Sequence, residues 1–174
     1  MSKKTTFYPT IKNYWNIRTK NDLTGKINVR KIVNYVLVVS LITVGIVYNS
    51  IHSENITTMI STFMITVAIF TAALFAISFN TLQIYREMQK NIELYTTDEN
   101  IVINKLRTII DYGISMGFIT VIFLGVNMIF DVNNSPLWVI FSSLTITGLL
   151  VADFLITMLK TVRLMRVVNR IMLL

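Results

Sequence analysis

Four stretches without a single charged residue limit what this chain can fold into. No Lys, Arg, Asp or Glu occurs at 32–53, 55–85, 112–130 or 132–152, windows of 22, 31, 19 and 21 residues. Crossing a hydrocarbon core of ~30 Å takes ~20 helical residues, so each window holds one membrane span. In lipid only a helix or a closed barrel satisfies its own backbone, and these continuous apolar runs lack the alternation of barrel strands. The expected fold is therefore an all-α membrane protein with spans near 32–51, 57–79, 110–130 and 137–158. Composition agrees. Of the 174 residues 53% are hydrophobic and 14% charged, with mean hydropathy +0.62, against roughly 25% charged in a soluble domain. The absence of cysteine excludes disulfides and thiolate metal sites.

The cations set the expected orientation. Residues 1–31 carry eight Lys/Arg and one acid, the segment 80–110 carries four of each, and the tail carries Lys160, Arg163, Arg166 and Arg170. All sixteen cations thus fall on one side of the spans, a positive-inside pattern that places both termini in the cytoplasm of an inner-membrane protein. The two short outer loops imply two helical hairpins, spans one with two and spans three with four. No cleavable signal is expected before the first span.

Between the hairpins, Leu82, Tyr85, Met88, Ile92 and Tyr95 recur at helical spacing. Thr96 with Glu99 fits a capping box that opens the next helix. Residues 80–110 thus read as a cytoplasmic helical stalk, either a connector or a partner-docking surface. The tail 159–174 continues the fourth span as a basic amphipathic helix. Its cations Lys160, Arg163, Arg166 and Arg170 share one face, suited to the anionic inner leaflet or to a cytosolic protein partner. The arm 1–31 has net charge +7 and interleaves Phe7, Tyr8, Tyr14 and Trp15 with Lys12, Arg18 and Lys20. That composition suits headgroup-depth anchoring; no nucleic-acid module is present, and direct RNA or DNA binding is not expected.

Small residues recur four apart on three spans: Ala68, Ala72 and Ala76 on the second; Gly113 and Gly117 with Gly125 on the third; Gly148 and Ala152 on the fourth. Such faces let helices approach closely where lipid removes the hydrophobic drive between them. One compact bundle needs fewer of them, so a homo-oligomer is expected. Three polar residues lie in or beside spans. Asp111 sits one turn after Arg107 and can pair with it. Asp153 falls about one turn inside the hydrocarbon, where an acid is costly: it either reaches Lys160 or a threonine hydroxyl, or serves function. Asn127 is a candidate for an interhelical hydrogen bond.

The one histidine, His52, lies at the opposite end of the spans from both aspartates, which separates the elements of a catalytic triad or a His–carboxylate metal site. The TGK at 24–26 lacks the glycines of a phosphate loop. No enzyme activity, cofactor or metal is expected. The chain resembles the small multidrug exporters in span count, but 32–51 holds no carboxylate where that family depends on a glutamate. The long basic arm, the stalk and the basic tail resemble the small four-span membrane components of prokaryotic antiviral systems, such as the Kiwa membrane subunit and CRISPR-associated membrane accessories. That resemblance covers the architecture of the whole chain. It implies an inner-membrane oligomer that works with a cytosolic nucleic-acid-sensing partner and damages or reports on the membrane. The small-residue faces and the basic surface, with no catalytic set, read as a self-associating pore-type or scaffold subunit. The alternatives are an ion-coupled transporter using Asp153 and a plain membrane anchor.

Overall fold

The computed structural model describes residues 7–20, 26–52, 56–90, 97–129 and 135–172, with side chains described for all of these except 7–10, 84–90, 97–100 and 169–172. Five helices make up the described chain: α1 (Phe7–Thr19), α2 (Val29–Ile51), α3 (Ile56–Lys90), α4 (Thr97–Ile129) and α5 (Leu137–Met172). The stretches Val29–Ile51, Ile56–Gln83, Ile101–Ile129 and Leu137–Val168 are long and apolar enough to cross a membrane. The described residues thus form helices without a strand, four of them span-length and apolar, where the charge-free windows place them.

The helices run further than the windows, because a charged residue outside the hydrocarbon does not stop a helix. At 1.5 Å per residue, the 36 residues of α5 reach about 54 Å, well beyond a ~30 Å core. The tail is the uninterrupted end of α5. Its apolar side is shared: Leu164, Met165 and Val168 pack with Ile103, Leu106 and Ile110 of α4, while Leu159, Val162 and Val167 remain exposed. In the segment between the second and third spans, α5 thus packs against the described α4 part. The capping box at Thr96–Glu99 lies outside the described residues and side chains.

Local signals position each element. Pro9 falls in the first turn of α1, where its missing N–H costs nothing. Asn28 caps α2 by accepting the Lys31 backbone N–H at 3.3 Å. The Asn28 N–H donates to Thr19 O at 2.7 Å, which folds α1 back beside the start of α2. Buried hydroxyls close onto their own helix: Thr71, Thr120, Thr157 and Thr161 each donate to the carbonyl four residues earlier.

Packing departs from two separate hairpins. α4 lies against α3 and α5, and α2 packs mainly on α5, touching α3 little. Near the connection of α2 and α3, Ser50 Oγ donates to Met59 Sδ at 3.4 Å. The cause is visible at Gly148, where an added Cβ would lie 2.8 Å from Thr43 Cγ2 and 3.1 Å from its Cα. That close approach draws α2 to the last span. Ile46, Val67, Leu74, Val151 and Phe154 form the core between these helices.

Candidate functional site

The polar residues converge where α1 docks against the N-terminal part of α2 and the middles of α4 and α5. Tyr14 and Arg18 are four apart on α1, and Asp153 and Thr157 are four apart on α5; each pair therefore shares a helix face. Tyr14 Oη lies 2.9 Å from Thr157 Oγ1, and Arg18 Nη1 donates to Asp153 Oδ1 at 2.5 Å. One turn forward on α1 answers one turn backward on α5, so the two helices meet as an antiparallel two-rung ladder.

Asp153 is satisfied from three helices. Its Oδ1 also accepts from Tyr35 Oη of α2 at 2.8 Å, and its Oδ2 from Tyr112 Oη of α4 at 2.7 Å. The Arg18 and Asp153 side chains are 3% and 9% exposed, a buried ion pair. Such a pair holds only when further hydrogen bonds compensate lost hydration, which is what the two phenols supply. Aromatic rings complete the enclosure. The Arg18 guanidinium carbon lies 3.4 Å from the Tyr35 ring centroid and 5.5 Å from that of Trp15. Tyr14 and Tyr112 stack with centroids 3.6 Å apart. Burial pushes the Tyr14 phenol up to about 12, so it remains a neutral hydrogen-bonding group across the physiological range. Arg18 Nε and Nη2 are buried without a hydrogen-bond partner.

The expected partners of Asp153 were Lys160 or a threonine hydroxyl. Its side chain instead takes Arg18, Tyr35 and Tyr112, while its backbone carbonyl accepts from Thr157. Lys160 lies beside this network, its Nζ 5.9 Å from the Tyr14 centroid. Asp111 pairs with Arg107 as the spacing suggests, at 3.9 Å and half-exposed. Asn127 Nδ2 is buried with no hydrogen-bond partner among the described residues. His52 caps α2, with Nδ1 2.8 Å from Tyr48 O; it lies 17 residues along that helix from Tyr35, about 25 Å.

The small-residue faces divide. A Cβ on Gly117 would meet the Thr71 side chain of α3 and Phe154 of α5, and one on Gly113 would meet Leu74 at 2.8 Å; both glycines are consumed inside the chain. Gly148 faces Thr43, and Ala152 is fully buried. Gly125 sees only Met64 Sδ at 3.9 Å. Ala68, Ala72 and Ala76, by contrast, are all exposed. Arg163 and Arg166 are exposed on α5, and the Arg170 side chain is outside those described.

The sequence reading missed Arg18, Tyr14, Tyr35 and Tyr112. A signal existed: a carboxylate at span depth needs a cation and donors, and Tyr14 with Arg18 is a paired aromatic and cation on one helix face. Which of eight arm cations would pair was not readable.

Fold and site together define a multi-pass helical membrane protein whose N-terminal helix is latched into the bundle through a buried ion pair. Compared with known proteins, the chain matches no family model, no curated protein and no solved structure.

Proposed function

We propose that this chain is a non-enzymatic multi-pass subunit of a cell inner membrane, with both termini cytoplasmic, that self-associates and acts as a scaffold or pore-type, membrane-perturbing component. The observation that supports this most is the full engagement of Asp153 by Arg18, Tyr35 and Tyr112. An ion-coupled carrier needs a carboxylate that loads and unloads its ion in turn. A carboxylate holding three donors inside its own fold suits architecture better than ion coupling.

Self-association falls to the exposed face of Ala68, Ala72 and Ala76, since the glycine faces at 113, 117 and 148 are used within the chain. The basic end, with Arg163 and Arg166 exposed, is the surface for the anionic leaflet or for a cytosolic protein. A role in antiviral defence belongs to this reading through the resemblance in architecture.

Native mass measurement in nanodiscs should give an oligomer, and Ala72→Leu should reduce it to a monomer with unchanged helix content. A monodisperse wild-type monomer in both mild detergent and nanodiscs would overturn self-association. Induced expression with a potential-sensitive dye should depolarise cells, and Asp153→Asn that still assembles should retain the effect. Loss of depolarisation in that assembled variant would favour the carrier.

A further inference from the structure

Beside the latch, at the basic end of the bundle, lies a cavity of about 750 Å3, within the range of roughly 300–1,000 Å3 typical of small-molecule sites. Its walls carry five cations from four helices: Arg18 of α1, Lys31 of α2, Lys105 of α4, and Lys160 and Arg163 of α5. No acid is among the described residues that line it. The remaining wall includes Val38, Ile109, Ile156 and Leu164. A chamber with cations along one part and aliphatic side chains along another is matched to an amphiphile, not to a bare ion.

We propose that this cavity binds the phosphate headgroup of an anionic phospholipid, with the aliphatic wall receiving the glycerol and upper acyl segments. Three observations converge. Lys31, Lys160 and Arg163 face the same space as the Asp153-paired Arg18, whose Nε and Nη2 are buried without a partner, so the wall offers positive charge and guanidinium donors to an anion. Arg18 is held in place by its ion pair with Asp153, and Lys160 Nζ stands 5.9 Å from the Tyr14 ring beside it, so part of the cationic wall is preorganised before any ligand arrives. Val38, a wall residue on α2, is also exposed among the outward-facing aliphatic residues of that span, which gives an acyl chain a route from the bilayer. Free phosphate shares the charge chemistry but would leave the aliphatic wall wet. Because Arg18 belongs both to the latch and to the cavity wall, lipid occupancy would also steady the docked arm.

The test uses the full chain in nanodiscs of phosphatidylcholine with graded phosphatidylglycerol, with retained lipid counted by native mass measurement. Wild type should hold one phosphatidylglycerol per chain in preference to phosphatidylcholine. Lys31→Gln with Arg163→Gln should weaken that retention on the order of thirtyfold, given the usual worth of a cation near an anionic headgroup. Arg166→Gln removes an equally exposed charge outside the lining and should change it little. Val38→Trp keeps every cation and fills the cavity mouth; it too should displace the lipid, which provides a readout where the charge variant fails to assemble. Equal losses from Arg166→Gln and the double variant would reduce the effect to general surface attraction and overturn the proposal. So would retention unaffected by both the double variant and Val38→Trp. Saturable binding of inorganic phosphate in pure phosphatidylcholine discs, with no preference for phosphatidylglycerol, would assign the site to a soluble phosphate and overturn the lipid.

Discussion

Arg18 and Asp153 stand 135 residues apart and are both nearly sealed from solvent. Removing one member of a buried pair strands the other, which costs roughly 3–5 kcal/mol, whereas removing both is far less damaging. Arg18→Met and Asp153→Leu should therefore each lower thermal stability in detergent by that order. The double variant should lose clearly less than the sum, although it still orphans the Tyr35 and Tyr112 hydroxyls. Simple additivity in this double-mutant cycle would show that the two side chains do not act as a unit. Trp15 and Tyr35, edge to face with centroids 5.7 Å apart, shield the pair from the side, so the latch is as much aromatic as ionic.

At the scale of helices, α4 is the central element. It packs against α3, α5 and α1, and its apolar residues are accordingly spread around the helix instead of forming one stripe. Its glycines are not equivalent to the one in α2. An added Cβ at Gly117 collides with Thr71, whose hydroxyl is already committed to Val67 O at 2.7 Å, and with Phe154, which is fully buried. Overpacking of this kind costs about 1–3 kcal/mol. Gly117→Ala should lower the melting temperature accordingly, and Gly117→Ile should disrupt the α3–α4–α5 contact. Gly45 has nothing within 4 Å of an added Cβ, so Gly45→Ala should be neutral or slightly stabilising, by up to about 1 kcal/mol from helix propensity. Equal effects at the two positions would mean that close approach at Gly117 is unimportant.

For the molecule as a whole, charge and packing point the same way along the bundle. The N-terminal end of α2, the N-terminal half of α4 and the C-terminal half of α5 gather at one end, joined by the Tyr35–Asp153 bond and by Ile103, Leu106, Ile110 and Val168. That end carries Arg18, Lys31, Lys105, Lys160 and Arg163 around one cavity, and the opposite end carries His52. Reporter fusions placed after residue 31, within 90–100 and at the C-terminus should all read cytoplasmic, and one at 133 should read on the far side. A far-side signal from any of the first three would overturn the orientation that the cations imply.

The number and order of the apolar helices followed from the sequence alone, because a span-length apolar window is a one-dimensional property read from the spacing of charges; how far each helix runs past its window did not. The Arg107–Asp111 pair was legible for the same reason, both members lying on one helix. Helix rotation was not legible. In a membrane chain the lipid-facing and core-facing sides are both apolar, so hydrophobic pattern does not say which face turns inward. The glycine and alanine ladders therefore looked alike, although Gly113 and Gly117 are internal while Ala68, Ala72 and Ala76 are not. The partner of Asp153 was hidden more deeply. Its cation comes from the other end of the chain, and its phenols come from two further helices. Only the tertiary packing of α1 against α5 chose Arg18 among the basic residues of the arm, because Arg18 lies one turn from Tyr14 on the α1 face that meets Thr157 and Asp153.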